Sequence, residues 1–162
     1  GNKETVVSET DKKFVFVAHA TPTHKLDSDP KWGLLPEMNT EKNWRIIKDC
    51  GFNYAMPVAD VNESHIISTL ENAQKQGIKV LIMDHMTDGL PFIVRAGENK
   101  SYAEVYDEIK SSEERLKKHY DSYKKYSSFA GVVIIDEPSA AYYEAIAAGQ
   151  DWWRENYPEY EY

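Results

Sequence analysis

The chain has 162 residues, enough for one domain of common size with an adequate core. Its 27 acidic residues against 19 basic ones leave a net charge of −8, which argues against nucleic acid and anionic membrane surfaces as partners. No stretch approaches the roughly 20 apolar residues of a membrane-spanning helix, and the lone cysteine, Cys50, excludes an intrachain disulfide and a zinc site built on several cysteines.

Residues 1–13 are polar and patternless and read as a tether left after processing. The predicted organisation is a flexible arm over residues 1–12 and one folded domain over residues 13–162, with export as the expected route. Residues 14–18 (Phe-Val-Phe-Val-Ala) predict a first buried strand that runs into His19, Ala20, Thr21 and Pro22. A long irregular segment follows over residues 23–39, and loops of this length are more often functional than filler. Within it, Asp27-Ser28-Asp29 has the start of a calcium loop but lacks the later ligands, so no metal is expected. Trp32 in the same loop is a candidate to stack on a sugar ring, in a chain whose 11 Tyr and 4 Trp exceed what its core requires.

Asn39 or Thr40 caps a predicted first helix that points Trp44, Ile47 and Cys50 inward and ends at Gly51. Cys50 is expected as a small packed residue rather than a nucleophile. Residues 52–59 predict a second strand ending at Asp60. A second helix over residues 62–76 then places Ile66, Ile67, Leu70 and Ala73 on one face, with Gly77 closing it. Residues 78–83 predict a third strand ending in Asp84-His85, followed by a loop over residues 86–100. Ser101 caps one long helix with a stripe of Tyr102, Val105, Tyr106, Ile109, Leu116, Tyr120 and Tyr123.

The fourth strand is the most distinctive. Residues 132–135 (Val-Val-Ile-Ile) lack alternation and predict burial on both faces, and the run stops at Asp136-Glu137-Pro138. A final helix over residues 140–157 presents Tyr143, Ile146, Ala147 and Trp153. Trp152, Trp153, Tyr157, Tyr160 and Tyr162 read as helix packing or surface rather than a ligand platform.

Strand and helix alternate four times with no hairpin signal, which predicts an α/β fold of four βα units with parallel strands. Each strand ends in polar residues: His19, Asp60, Asp84 with His85, and Asp136 with Glu137. In parallel α/β proteins the carboxyl ends of the strands form the active face, so these side chains should converge. No glycine-rich phosphate turn follows the first strand, which favours a barrel over a doubly wound sheet. A complete barrel needs eight units and about 250 residues, so the expected architecture is half of a (β/α)8 barrel.

Asp136-Glu137-Pro138 at the end of the fourth strand resembles the Asn-Glu-Pro motif of the retaining glycoside hydrolases built on the TIM barrel. It resembles more closely an Asp-Glu-Pro variant found in glycosyl hydrolase-like proteins of Bacteroides type. Residues 43–53, a helix running into Gly51-Phe52-Asn53, resemble the first helix and second strand of such barrels. The resemblance covers residues 13–158 and implies an oligo- or polysaccharide as substrate, no cofactor, and Glu137 as general acid/base. Such an acid must protonate a departing glycosidic oxygen and needs a raised pKa in a partly dry cleft. Asp136 replaces the motif's Asn; a neighbouring carboxylate would help to keep Glu137 protonated, and it can accept but not donate a hydrogen bond to a sugar hydroxyl. Asp84, His85, His19 and Asp60 become substrate-binding or orienting residues by position. The competing role for Asp136 and Glu137 is capping the last helix.

A retaining enzyme also needs a second carboxylate about 5 Å away, which the family takes from its seventh strand. The chain has no such strand, and nothing in it selects a substitute. The expected partner is therefore a second copy in a homodimer or a missing C-terminal half. A non-catalytic carbohydrate-binding or assembly module is the alternative, and another small-molecule α/β enzyme is a third. The resemblance implies a secreted, periplasmic or cell-surface location in a carbohydrate-processing bacterium.

Overall fold

The computed structural model describes residues 15–22, 37–57 and 62–161. Four parallel strands, β1 (Val17–His19), β2 (Tyr54–Met56), β3 (Lys79–Ile82) and β4 (Phe129–Val132), form one sheet in the order β1-β2-β3-β4. Between and after them lie α1 (Glu41–Asp49), α2 (Glu63–Lys75), α3 (Leu90–Arg95), α4 (Tyr102–Ser111), α5 (Glu113–Asp121) and α6 (Tyr143–Asn156). The fold is α/β with four βα units, and among the described residues no helix is long and apolar enough to cross a membrane.

Sequential strand order means that every crossover steps in the same direction across the sheet. With the right-handed connections that parallel strands adopt, all helices then pack on one side. Burial follows that rule. Ala18, Ala55, Val80, Ile82, Val132 and Ile134 lie in the core, whereas Val17, His19, Met56, Leu81, Val133 and Ile135 are exposed or half-buried. β4 itself is buried at all of its residues, but the run predicted to be covered on both faces, residues 132–135, alternates: Val132 and Ile134 are buried and Val133 and Ile135 half-buried. Its ladder also ends at Val132, although the Val133 N–H still donates to the Ile82 carbonyl at 2.8 Å.

The local chemistry of the helices explains their limits. The Thr40 hydroxyl caps α1, Asn62 caps α2, and Ser101 with Glu104 forms a reciprocal capping box on α4. The predicted helix after Ser101 is broken at Ser112, where φ is −101° and ψ is 4°. Beside the break, the Ser111 hydroxyl donates to the Glu108 carbonyl at 2.7 Å, a local bond that competes with helix propagation. Part of the expected loop over residues 86–100 is the short helix α3, which has Pro in its first turn.

The core holds Trp44, Ile66, Leu70, Ile109, Trp152 and Trp153 without solvent exposure. Tyr157 stacks on Trp153 with centroids 4.7 Å apart, and Tyr120 meets Trp153 edge-on at 5.0 Å, so these late aromatics serve packing. Two expected inward residues face out. Cys50 is the exposed C-cap of α1, and Tyr143 is 62% exposed because α6 turns Ala145, Ala148 and Trp152 inward instead.

Glu161 adds a single parallel bridge on the far side of β4, opposite Gly131. Its N–H donates to the Ala130 carbonyl at 2.7 Å, and its carbonyl accepts from the Val132 N–H at 3.2 Å. Gly131 has φ +146°, and a Cβ there would run into the Glu161 backbone. Gly131→Ala should therefore lower unfolding stability by roughly 1–3 kcal/mol, read as a reduced urea midpoint with unchanged slope.

Candidate functional site

β4 leads through residues 133–135 to Asp136 and Glu137, both exposed. Glu137 has φ +46°, a left-handed conformation that costs a residue bearing a Cβ roughly 1–2 kcal/mol and breaks the extended path at this point. Neither carboxylate has a hydrogen bond or ion pair among the described residues. They do not cap the last helix: the chain enters it through a 3-10 turn at Ala140–Tyr142, whose N-cap is Ser139. Pro138, with Leu81, Ile135, Ile146 and Gln150, lines a groove of about 300 Å3 beside β4.

Asp84 is directed differently. It is fully buried, on the helix side of the sheet, and its carboxylate gathers three donors. The Met86 N–H donates to Oδ1 at 2.9 Å, the Tyr120 hydroxyl donates to Oδ2 at 3.1 Å, and His119 Nε2 lies 2.8 Å from Oδ2. Tyr120 also accepts the Leu90 N–H at 2.8 Å, which commits its own hydrogen to Asp84. Burial first, and then the neighbouring Asp84 charge, push the Tyr120 hydroxyl well above its ordinary pKa, so it acts as a neutral donor. Gly89 fits against this carboxylate because a Cβ at that position would overlap it.

His85, the next residue, is exposed, with Nδ1 3.4 Å from Arg95 Nη1. Partial burial, then the Arg95 charge, lowers its pKa below 6.5, and Asp84 opposes the shift. His19 is exposed at the end of β1 on the uncovered face, next to Ala20 with φ +56°. β1 and β4 are opposite edges of the sheet, three strand spacings or about 14 Å apart, so His19 and Glu137 are not in contact within one chain. The strands that carry His85 and the Asp136-Glu137 pair are adjacent. Asp60 and Trp32 lie outside the described residues.

His119 and Arg95 were not singled out by the sequence. A signal for His119 was present: it falls three residues after Leu116 and beside Tyr120, so a polar ring borders a buried stripe. Among the described residues, no group of three or more His, Cys, Asp or Glu is placed to hold a metal ion. No protein-family model, curated protein or solved structure matches this chain.

Because its folded pKa is depressed, His85 is neutral at pH 7. In the window just below 6.5 the unfolded chain binds the proton first, so the contribution of His85 to stability is present above that window and is lost as pH falls through it. An NMR titration should place the His85 midpoint below 6.5, and Arg95→Leu should move it upward. A wild-type midpoint at or above 6.5 would contradict the assigned environment.

Proposed function

We propose that the chain is a carbohydrate-active, glycoside hydrolase-like module in which Glu137 is the general acid/base. The observation that carries this reading is an exposed, unpartnered carboxylate held in left-handed backbone after the fourth of four sequential parallel strands. Glu137 is exposed rather than set in the partly dry cleft that such an acid needs, so in this reading the cleft closes over it only when the barrel is completed. Asp136 sits beside Glu137 as a hydrogen-bond acceptor for a sugar hydroxyl, and His85, on the adjacent strand end, lines the same rim. Asp84, engaged in the helix layer, serves as an orienting residue for the turn that carries His85. His19, at the opposite edge of the sheet, belongs to a more distant part of the rim, and Asp60 and Trp32 keep the substrate-binding roles that the resemblance implies.

The second carboxylate comes, in this reading, from a completing half of the barrel, either a C-terminal half or a second copy. Two features support a completing partner. The half-exposed apolar face of the sheet includes Met56, Leu81, Val133 and Ile135, and β1 is preceded by Val15 and Phe16, each 57% exposed. Beyond β4, the bridge at Glu161 sets the register in which another parallel strand would extend the ladder. Polysaccharide substrates place the protein outside the cytoplasm, as a secreted, periplasmic or cell-surface component.

One observation favours the non-catalytic alternative, a carbohydrate-binding or assembly module. With Asp84 buried in the helix layer, the strand-end acid left beside Glu137 among the described residues is Asp136, its neighbour in the chain, rather than a carboxylate facing it from another strand.

Glu137→Gln should reduce glycoside turnover by about 10²–10⁴-fold while leaving the circular dichroism spectrum and melting temperature unchanged. Unchanged turnover removes Glu137 from the mechanism. Saturable glycan binding without turnover, weakened by the same substitution, favours the binding module. Sedimentation at micromolar concentration should show a dimer if a second copy closes the barrel; a folded monomer rules out that form of closure.

A further inference from the structure

A second cavity, of about 450 Å3, lies between the start of α2, the turn after β3 and one face of α5. Its polar lining comes from Glu63, Asp88, Arg115, Lys118 and His119, with Ser122 beside them. Several of these groups are already committed. Arg115 donates to Asp88 at 2.9 Å and to the Thr87 carbonyl at 2.7 Å, so this pair is neutralised within the wall. The Ser122 hydroxyl donates to the His119 carbonyl at 2.6 Å.

His119 is held from behind. Its side chain is only 7% exposed, and Nε2 faces the fully buried Asp84 carboxylate at 2.8 Å. A carboxylate oxygen at that distance requires a hydrogen on Nε2, which fixes the ring orientation and the tautomer and leaves Nδ1 as the second polar atom. Tyr120 and Tyr123 meet the ring edge-on at 4.8 and 5.2 Å and prevent it from turning. A histidine clamped by a buried acid and two aromatic rings at a cavity wall is pre-organised for a ligand.

The remaining wall charges are one of each sign. Lys118 on α5 and Glu63 on α2 have no hydrogen bond or ion pair among the described residues. A plain polyanion would meet Glu63, and a plain cation would meet Lys118, so the complementary ligand carries both charges.

We propose that this cavity binds a small zwitterion of the α-amino acid class, its carboxylate taken by Lys118 and its ammonium by Glu63 and the lone pair of His119 Nδ1. The site does not rest on the carbohydrate reading, because it needs neither Asp136 nor Glu137 and uses Asp84 only to hold His119. Binding orders the start of α2 against α5, two elements that the cavity otherwise separates.

The test uses the full chain and the free protein amino acids, one at a time, by ligand-observed NMR followed by titration calorimetry. At least one should bind saturably at one site and shift the His119 ring resonances. Lys118→Met and Glu63→Gln should each weaken that binding about tenfold or more. His119→Gln, which keeps an N–H donor for Asp84 but removes the second ring nitrogen, should weaken it as well while preserving the melting temperature. The N-acetyl and amide forms of the best ligand should lose binding. The proposal is overturned if no amino acid binds below about 10 mM, if the three variants bind like the parent, or if either capped form binds equally well.

Discussion

Every feature of this chain that bears on function depends on the one-sided burial of its sheet. Strands that follow one another in space as they do in sequence, joined by crossovers of one hand, put their helices on a single side. The residues of one pleat, Ala18, Ala55, Val80 and Ile82, are then enclosed, while the alternate pleat remains open. A (β/α)8 barrel uses that open pleat as its interior, which is why half of one leaves apolar side chains half-exposed. The same asymmetry sorts the strand-end polar groups into those that face the uncovered side and those drawn into the helix layer.

Asp84 illustrates the second class. A buried carboxylate is tolerated only when donors surround it, and here a backbone N–H, a phenol and an imidazole supply them. Those three contacts, with the Leu90 N–H donated to the Tyr120 hydroxyl, join the end of β3, the entry to α3 and the outer helix α5 in one polar knot. The knot rigidifies the turn that bears His85, and it orients His119 at the wall of the second cavity. Glu137 and Asp136 illustrate the first class. Among the described residues they make no such contacts, and the left-handed backbone at Glu137 is not rewarded there by any hydrogen bond of its own side chain.

Much of this architecture was legible beforehand. The apolar spacing of Ile66, Leu70 and Ala73 with the cap Asn62 located α2, and Ser101 located the start of α4, to within a residue, because caps and periodicity are local chemistry. The four parallel βα units were legible too, through the steady alternation of strand and helix with no hairpin signal. The errors lie where a residue's neighbours come from far along the chain. Cys50 and Tyr143 have the right spacing for a buried stripe, but which flank of α1 and of α6 meets the sheet depends on packing between elements. The unbroken run Val132-Val133-Ile134-Ile135 reads the same whether one face or both are covered, since hydrophobicity does not encode what lies opposite.

The site divides along the same line. The sequence by itself determined that acids and histidines stand at the ends of parallel strands and that Asp136-Glu137-Pro138 terminates the fourth, because both follow from local pattern and from the rule that joins parallel strands. Only the tertiary structure decided which of those groups is free and which is bound. Side-chain direction at a strand end is set by the pleat and by donors such as His119 and Tyr120, which lie 35 and 36 residues from Asp84 in the chain. Hydrogen bonds across such separations depend on how helices dock, and docking is a property of the assembled core rather than of any local stretch.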